Sequence, residues 1–246
     1  MKTIITISFS LLILAASCTG SRVQADEAPD HYSYNETGKG PDISVRFTKG
    51  EAHNHPLFAI WAETTDGKYL QTLYVSESVG KGIFLHGDAS EGKWLPGEIR
   101  RPASLPVWSH KRNIQAPDGL YIPSPETPVP DAFTGPTPPK NFELSVRMDS
   151  TPPEQFYIYM EINQTWDWNE YWTNNKFPDD DEYKTSCQPA LVYRGLADIN
   201  KRTEFPLELY GRSQESGKDG NIYHDLETMT TALHIAEKIE VRVSNE

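Results

Sequence analysis

The side chains best suited to chemistry gather between Thr165 and Tyr183, in T-W-D-W-N-E-Y-W-T-N-N-K-F-P-D-D-D-E-Y. Trp166, Trp168, Tyr171 and Trp172 are dense for so polar a stretch, which makes them candidate ligand-binding residues. Aromatic faces beside Asp and Asn hold sugar rings by stacking plus hydrogen bonds. The alternative is a plug of alternate Trp residues closing one end of a β-structure. Asp179, Asp180, Asp181 and Glu182 form a carboxylate run, and Asp219, Asn221 and Asp225 lie in G-K-D-G-N-I-Y-H-D-L. Neither stretch has the ligand spacing of an EF-hand calcium loop. The paired carboxylates of a glycosidase are defined by separation in space, which sequence spacing does not give.

His53 and His55 form a second candidate, in H-N-H ahead of an apolar run. On a strand, residues i and i+2 share a face, so both imidazoles would meet one metal ion. Two ligands are half a site, with His86, His110 and His224 as candidates for a third; the alternative is a surface pair without metal. Cys187, between Ser186 and Gln188, reads as a small semi-buried residue and not as a nucleophile. The basic residues Arg100, Arg101, Lys111 and Arg112 are interrupted by Leu105, Val107 and Trp108, and read as a solvated rim beside a buried Trp. There is no G-x-S-x-G, H-E-x-x-H, phosphate-cradling glycine motif or C-x-x-C, which points away from an enzyme.

The elements that must position these groups are strands. Pro56 to Val75 reads as a hairpin around Asp66-Gly67, with Leu57 to Ala62 apolar on both faces and therefore an inner strand. Asp42 to Thr48, Phe142 to Met148, Gln155 to Ile162, Pro189 to Tyr193, Phe205 to Tyr210 and Glu237 to Val243 complete about eight strands without a crossover helix. A short helical turn is expected near Pro102 to Trp108, limited by Pro106, and another within Thr228 to Ala236. Ala116 to Lys140 is too rich in Pro for a central strand or helix, and reads as a functional loop or a crossover between layers. The pattern predicts an all-β fold, an antiparallel Ig-like β-sandwich with long Pro-rich and Trp/Asp-rich loops.

The chain has 246 residues, 35 acidic and 23 basic, for a net charge of −12. That balance disfavours nucleic acid and anionic membrane surfaces as direct partners. Met1-Lys2 is a short positive start, and Ile4 to Ala16 is an apolar run of about a dozen residues, too short to span a bilayer. Ala15-Ala16-Ser17-Cys18 then resembles the lipobox of bacterial lipoproteins, where the signal is cut before the Cys and the thiol is acylated. Residues 1–17 are thus expected to be a lipoprotein signal peptide, Cys18 the lipid attachment site, 18–40 a disordered tether and 41–246 a single domain. With Cys18 acylated, Cys187 has no partner for a disulfide. The expected location is the bacterial cell envelope, lipid-anchored and facing the periplasm or the outer surface.

Several stretches in order carry a family resemblance: H-P-L-F-A-I-W-A-E-T-T-D-G-K-Y-L-Q-T-L-Y-V, R-R-P-A-S-L-P-V-W-S, D-A-F-T-G-P-T-P-P, W-D-W-N-E-Y-W, Q-P-A-L-V-Y and T-M-T-T-A. Together they resemble the exported bacterial family known as domain of unknown function 2271, over roughly Asp42 to Val243. The resemblance implies an accessory role in envelope redox or iron handling beside a membrane redox protein. Asp131 to Thr137 (D-A-F-T-G-P-T) also resembles the D-x-x-[S/T]-G-A-T sequence on which a flavin transferase places FMN. That resemblance implies Thr137 as the attachment residue, with Pro136 where the motif has Ala. Otherwise the segment is a turn, with Asp131 capping and Gly135 at positive φ. Read whole, the sequence points to a non-enzymatic accessory or binding module of a membrane redox or metal-uptake system. A glycan-binding module using the Trp-rich loop and a covalent-FMN electron carrier are the alternatives.

Overall fold

Alternating apolar residues assemble into two sheets that share one core. The computed structural model describes residues 28–201 and 204–244, so the signal segment and Cys18 lie outside the described residues. In the first sheet the order is β1 (Asp30–Tyr34), β8 (Phe142–Arg147), β2 (Asp42–Lys49), β13 (Ala236–Ser244) and β11 (Glu204–Pro206). In the second it is β12 (Glu208–Arg212), β10 (Leu191–Asp198), β9 (Gln155–Asn163), β3 (Leu57–Thr64), β4 (Tyr69–Ser76) and β7 (Thr134–Gly135). A separate ribbon pairs β5 (Ile83–Asp88) with β6 (Leu95–Glu98), and two short helices are α1 (Glu77–Lys81) and α2 (Pro106–Arg112). The fold is all-β as expected. Its sheets are not wholly antiparallel, because β1 runs parallel to β8 and β7 parallel to β4.

Ile43, Val45 and Phe47 of β2 meet Phe58 and Ile60 of β3 and Phe156, Ile158, Met160 and Ile162 of β9 across the core. Phe47 stacks on Phe142 at 5.0 Å and meets Phe58 edge-on at 5.2 Å. Burying each such side chain contributes roughly 1.5–3 kcal/mol before entropy is counted. β3 is buried on both faces, as its continuous apolar run predicts.

Four expectations need correction. Residues 30–34 fall in the stretch read as tether, yet D-H-Y-S-Y alternates and turns Tyr32 and Tyr34 towards the core. Polar composition hid a half-buried edge strand. The β3–β4 turn is a three-residue loop, Thr65 to Gly67, and not Asp66-Gly67 alone: Thr64 N–H donates to Lys68 O, and within it only Gly67 has positive φ (85°). That is a type I turn followed by a bulge glycine. The run Phe205 to Tyr210 is two strands: β11 pairs with β13, β12 with β10, and buried Leu207 carries the chain from one sheet to the other. Pro106 does not limit α2 but begins it, where its fixed φ suits a first helical turn.

The second sheet is also covered on its outer face. Leu57, Ala59 and Trp61 of β3 lie beneath Leu105, Val107 and Trp108, with Ile122 and Val129 of the Pro-rich segment beside them. That segment is a covering layer. Two carboxylates seat α2 on the sheet. Glu161 accepts from Val107 N–H at 3.1 Å and Trp108 N–H at 2.8 Å, while Glu63 accepts from Trp61 Nε1 at 2.7 Å and Lys111 Nζ at 3.1 Å. Trp108 Nε1 donates to Thr72 Oγ1 at 3.0 Å.

Burial pushes the Glu161 carboxyl up to about 8, against the pull of the Trp108 and Val107 amides. The folded protein then holds a proton that the unfolded chain releases near 4.5, so stability falls as pH rises from there through about 8. Glu161→Ala strands two helix-start amides and is expected to cost about 3 kcal/mol in urea unfolding. Glu161→Gln should flatten the pH slope. A wild-type profile already flat over that interval contradicts this account.

Candidate functional site

The ribbon, the segment after it and the loop after β9 enclose an open cleft of about 600 Å³ lined by His86, Trp94, Ile99, Arg101 and Trp166. The ribbon supplies one wall: His86 lies on β5, Trp94 just before β6 and Ile99 just after it. Ile99 N–H donates to Gly82 O at 3.0 Å and closes the ribbon's base. Trp166 supplies the opposite part of the lining from the β9–β10 connection. Its backbone has φ 61°, rarely adopted by an aromatic residue. Two bonds hold it there: its N–H donates to Ser186 O at 2.8 Å and its indole N–H to Lys184 O at 3.0 Å. The indole is thus fixed while 46% of the residue stays exposed.

The Arg101 guanidinium lies 4.1 Å from the Phe84 ring centroid and 4.8 Å from that of Trp166. Among the described residues its guanidinium makes one hydrogen bond, from Nη1 to Thr165 Oγ1 at 3.4 Å. Among the described residues no carboxylate lies within ion-pair distance of it. Burial lowers its pKa from the usual value, though an arginine stays charged at any ordinary pH. The basic residues are therefore not a solvated rim. Arg100 pairs with Asp118 and Ile122 O, Lys111 with Glu63, and Arg112 lies over Trp108 at 5.0 Å. Arg101 is the member of the group left facing a cleft.

The aromatic run divides. Trp168 (54%) and Tyr171 (41%) are exposed like Trp166, but Trp172 is buried in the core, with its Nε1 donating to Thr228 Oγ1 at 3.1 Å. Asn169 makes the division, because its Oδ1 accepts from both Tyr171 N–H and Trp172 N–H and turns the chain between them. The plug reading therefore describes Trp172; of the exposed rings Trp166 lines the cleft, while Trp168 and Tyr171 lie outside its lining.

His53 and His55 do not share a strand face, because β3 begins only at Leu57. His53 packs on Phe47 at 5.8 Å and Phe58 at 6.5 Å, and burial lowers its pKa. His55 sits exposed at φ 54°, its Nδ1 against Asn54 Oδ1 at 3.2 Å. His110 stacks on Tyr121 and His224 donates to Tyr210 O, while His86 lines the cleft. Among the described residues no group of three or more His, Cys, Asp or Glu is arranged to hold a metal ion.

Thr137 is half-buried, its hydroxyl donating to Ser76 Oγ at 3.2 Å, and Tyr74 O–H ties down the neighbouring Pro136 O at 2.8 Å. As folded, the Thr137 hydroxyl is thus engaged by a neighbouring side chain and not fully open to solvent. Nor does Gly135 supply positive φ: it lies in β7, where a Cβ would overlap the Tyr34 hydroxyl. Asp131 caps nothing and pairs with Lys81 at 2.8 Å. Cys187 is buried, with Sγ against Asn174 Oδ1 at 3.1 Å, and burial raises its thiol pKa, as suits an inert residue.

Trp94, His86, Ile99 and Arg101 were not legible as a site, because they lie in the Gly-rich stretch that carries no clear period. The aromatic partner Trp166 was the one sequence signal. Comparison with family models, with curated proteins and with solved structures finds no match.

Of the carboxylate run, Asp180 has a structural duty. It accepts from Lys218 Nζ at 2.7 Å, Ser216 Oγ at 2.8 Å and Tyr183 N–H at 2.9 Å. Its burial favours the neutral acid, but those three donors outweigh it and bring the pKa down to about 2. A depressed carboxyl stabilises the fold above the ordinary carboxylate range and loses that contribution as pH falls towards about 2. Asp180→Asn is expected to cost about 2 kcal/mol at neutral pH. Acid-unfolding curves of variant and wild type should converge at the low end; curves that stay parallel would remove Asp180 from this role.

Proposed function

We propose that this protein is a non-catalytic, ligand-binding module of the bacterial cell envelope, carried on a lipid-modified Cys18, and that it binds carbohydrate. The fold proposed for it is an Ig-like β-sandwich, supported by two sheets sharing one core and joined by a chain that changes sheet at Leu207. The observation that carries the ligand reading is Trp166. A fixed indole with a free face, in a cleft that also holds Trp94, matches the way proteins stack sugar rings. The lining of the cleft has no carboxylate pair, so binding without glycoside hydrolysis is the reading that fits. The resemblance to the exported family supports the envelope address. It also supports, as a second reading, an accessory role beside a membrane redox protein.

The test is titration of the whole chain, purified in detergent, with a panel of oligosaccharides, followed by tryptophan fluorescence and calorimetry. Trp166→Ala and Trp94→Ala should each weaken binding about tenfold, the order expected for a lost stacking contact. Trp168→Ala removes an exposed indole outside the cleft lining and should leave affinity unchanged. An unaltered affinity in Trp166→Ala, with an unchanged urea midpoint, contradicts the proposal.

A further inference from the structure

The cleft joins two features that a neutral ligand does not use together. One is the aromatic surface of Trp166 and Trp94. The other is Arg101, a cation half-withdrawn from water whose guanidinium makes, among the described residues, one long hydrogen bond, to Thr165. Withdrawing a charge from solvent is costly unless it is paired or hydrogen-bonded, and proteins generally supply the partner. Here two of the neighbouring basic side chains have theirs: Arg100 its Asp118, Lys111 its Glu63. Arg112 also lacks a carboxylate, but it lies over Trp108 with its Nη1 buried and is not among the residues lining the cleft. The Arg101 nitrogens are not sealed in this way, and they line an open cleft. Guanidinium offers five N–H donors in a planar fork that matches a carboxylate in two-point contact. The rings of Phe84 and Trp166 hold it in place, so little freedom remains to be lost when an anion arrives. His86, the other polar group of the lining, adds a further donor.

We infer that the cleft recognises an acidic sugar, whose ring stacks on Trp166 while its carboxylate pairs with Arg101. This rests on the carbohydrate reading above and narrows it to glycans bearing uronate-type carboxylates. Trp166 supplies affinity for rings in general. Arg101 sets the class.

The decisive probes are short oligomers of galacturonate, mannuronate and guluronate, each also prepared with its carboxyl groups methyl-esterified. Esterification keeps ring and linkage and removes the charge. The expected result is that at least one free acid binds about 10- to 100-fold more tightly than its ester, the range expected for a hydrogen bond to a charged group. In Arg101→Gln that ratio should collapse to about one while the affinity for the ester stays within about twofold. Arg101→Lys should recover only part of the ratio, since an ammonium lacks the planar fork. A merely structural Arg101 gives a different outcome: acid and ester lose affinity together, and the inference fails. If ester and acid bind wild type equally, the carbohydrate reading stands and this inference falls. If no acidic, esterified or neutral oligomer binds, both fall. Urea midpoints of the Arg101 variants within about 1 kcal/mol of wild type establish that the comparison is made on folded protein.

Discussion

Glu161 places a carboxyl group where no water reaches, and the first amides of α2 are what make this tolerable. A buried carboxyl without donors is costly, and helix-start amides without acceptors are costly too. Each solves the other's problem, so β9 and α2 are bound to one relative position. Glu63 repeats the arrangement at the far end of the helix through Lys111. With both ends held, Leu105, Val107 and Trp108 are pressed on the outer face of β3, and the second sheet becomes an inner layer. The segment preceding α2 has no freedom left. Arg101 lies on that segment, between the helix and the ribbon, so its place in the cleft follows from a carboxylate on the strand beneath.

The other wall depends on a second buried polar network. Asn163 Nδ2 donates to Ser186 Oγ at 2.9 Å, and Gln188 Nε2 donates to Gln164 O at 2.5 Å. Tyr183 O–H reaches both Thr173 O and Cys187 O at 2.8 Å. A loop from 164 to 188 has too little regular structure to fix itself by strand pairing, and side-chain bonds do it instead. Such networks are stringent, because a missing member leaves its partner buried and unpaired. The left-handed backbone of Trp166 is affordable only inside such a frame. An indole that aims at a ligand without needing to be ordered first avoids most of the entropy loss on binding.

What the sequence disclosed follows from how local each cause is. The two-sided burial of β3 was written in an unbroken apolar run, and the strands of the first sheet in strict alternation. β1 was missed because His31 and Ser33 dilute the pattern that Tyr32 and Tyr34 make. The split of Phe205 to Tyr210 was invisible because Leu207 looks like any strand residue until both sheets are present. The aromatic run was recognisable by composition, but not which of its rings faces solvent. That was decided by Asn169, whose one oxygen serves two amides. Arg101 was read with its neighbours as a rim, since charge pairing across the fold, to Asp118 or Glu63, has no signature in spacing. An unpaired charge is noticed only once the pairings around it, Arg100 with Asp118 and Lys111 with Glu63, are in place.

The two walls of the cleft are unequal in a way that bears on how it binds. Trp166 stands on a loop stitched by buried hydrogen bonds, whereas Trp94 and His86 belong to a ribbon of two strands outside both sheets. An isolated pair of strands is marginal in water. This one shows Leu85 and Trp94 largely to solvent and is tied down chiefly at its base, through Ile99 and Gly82 and through Phe84 against Arg101. Ordering the ribbon against a ligand draws on the free energy of binding, while the Trp166 and Arg101 side is already in place. Selectivity then belongs to the rigid side, where ring stacking and charge pairing are fixed in register. On the binding reading proposed above, the ribbon would contribute area over whatever the rigid side has accepted, and sugars of different length would meet the same two fixed groups.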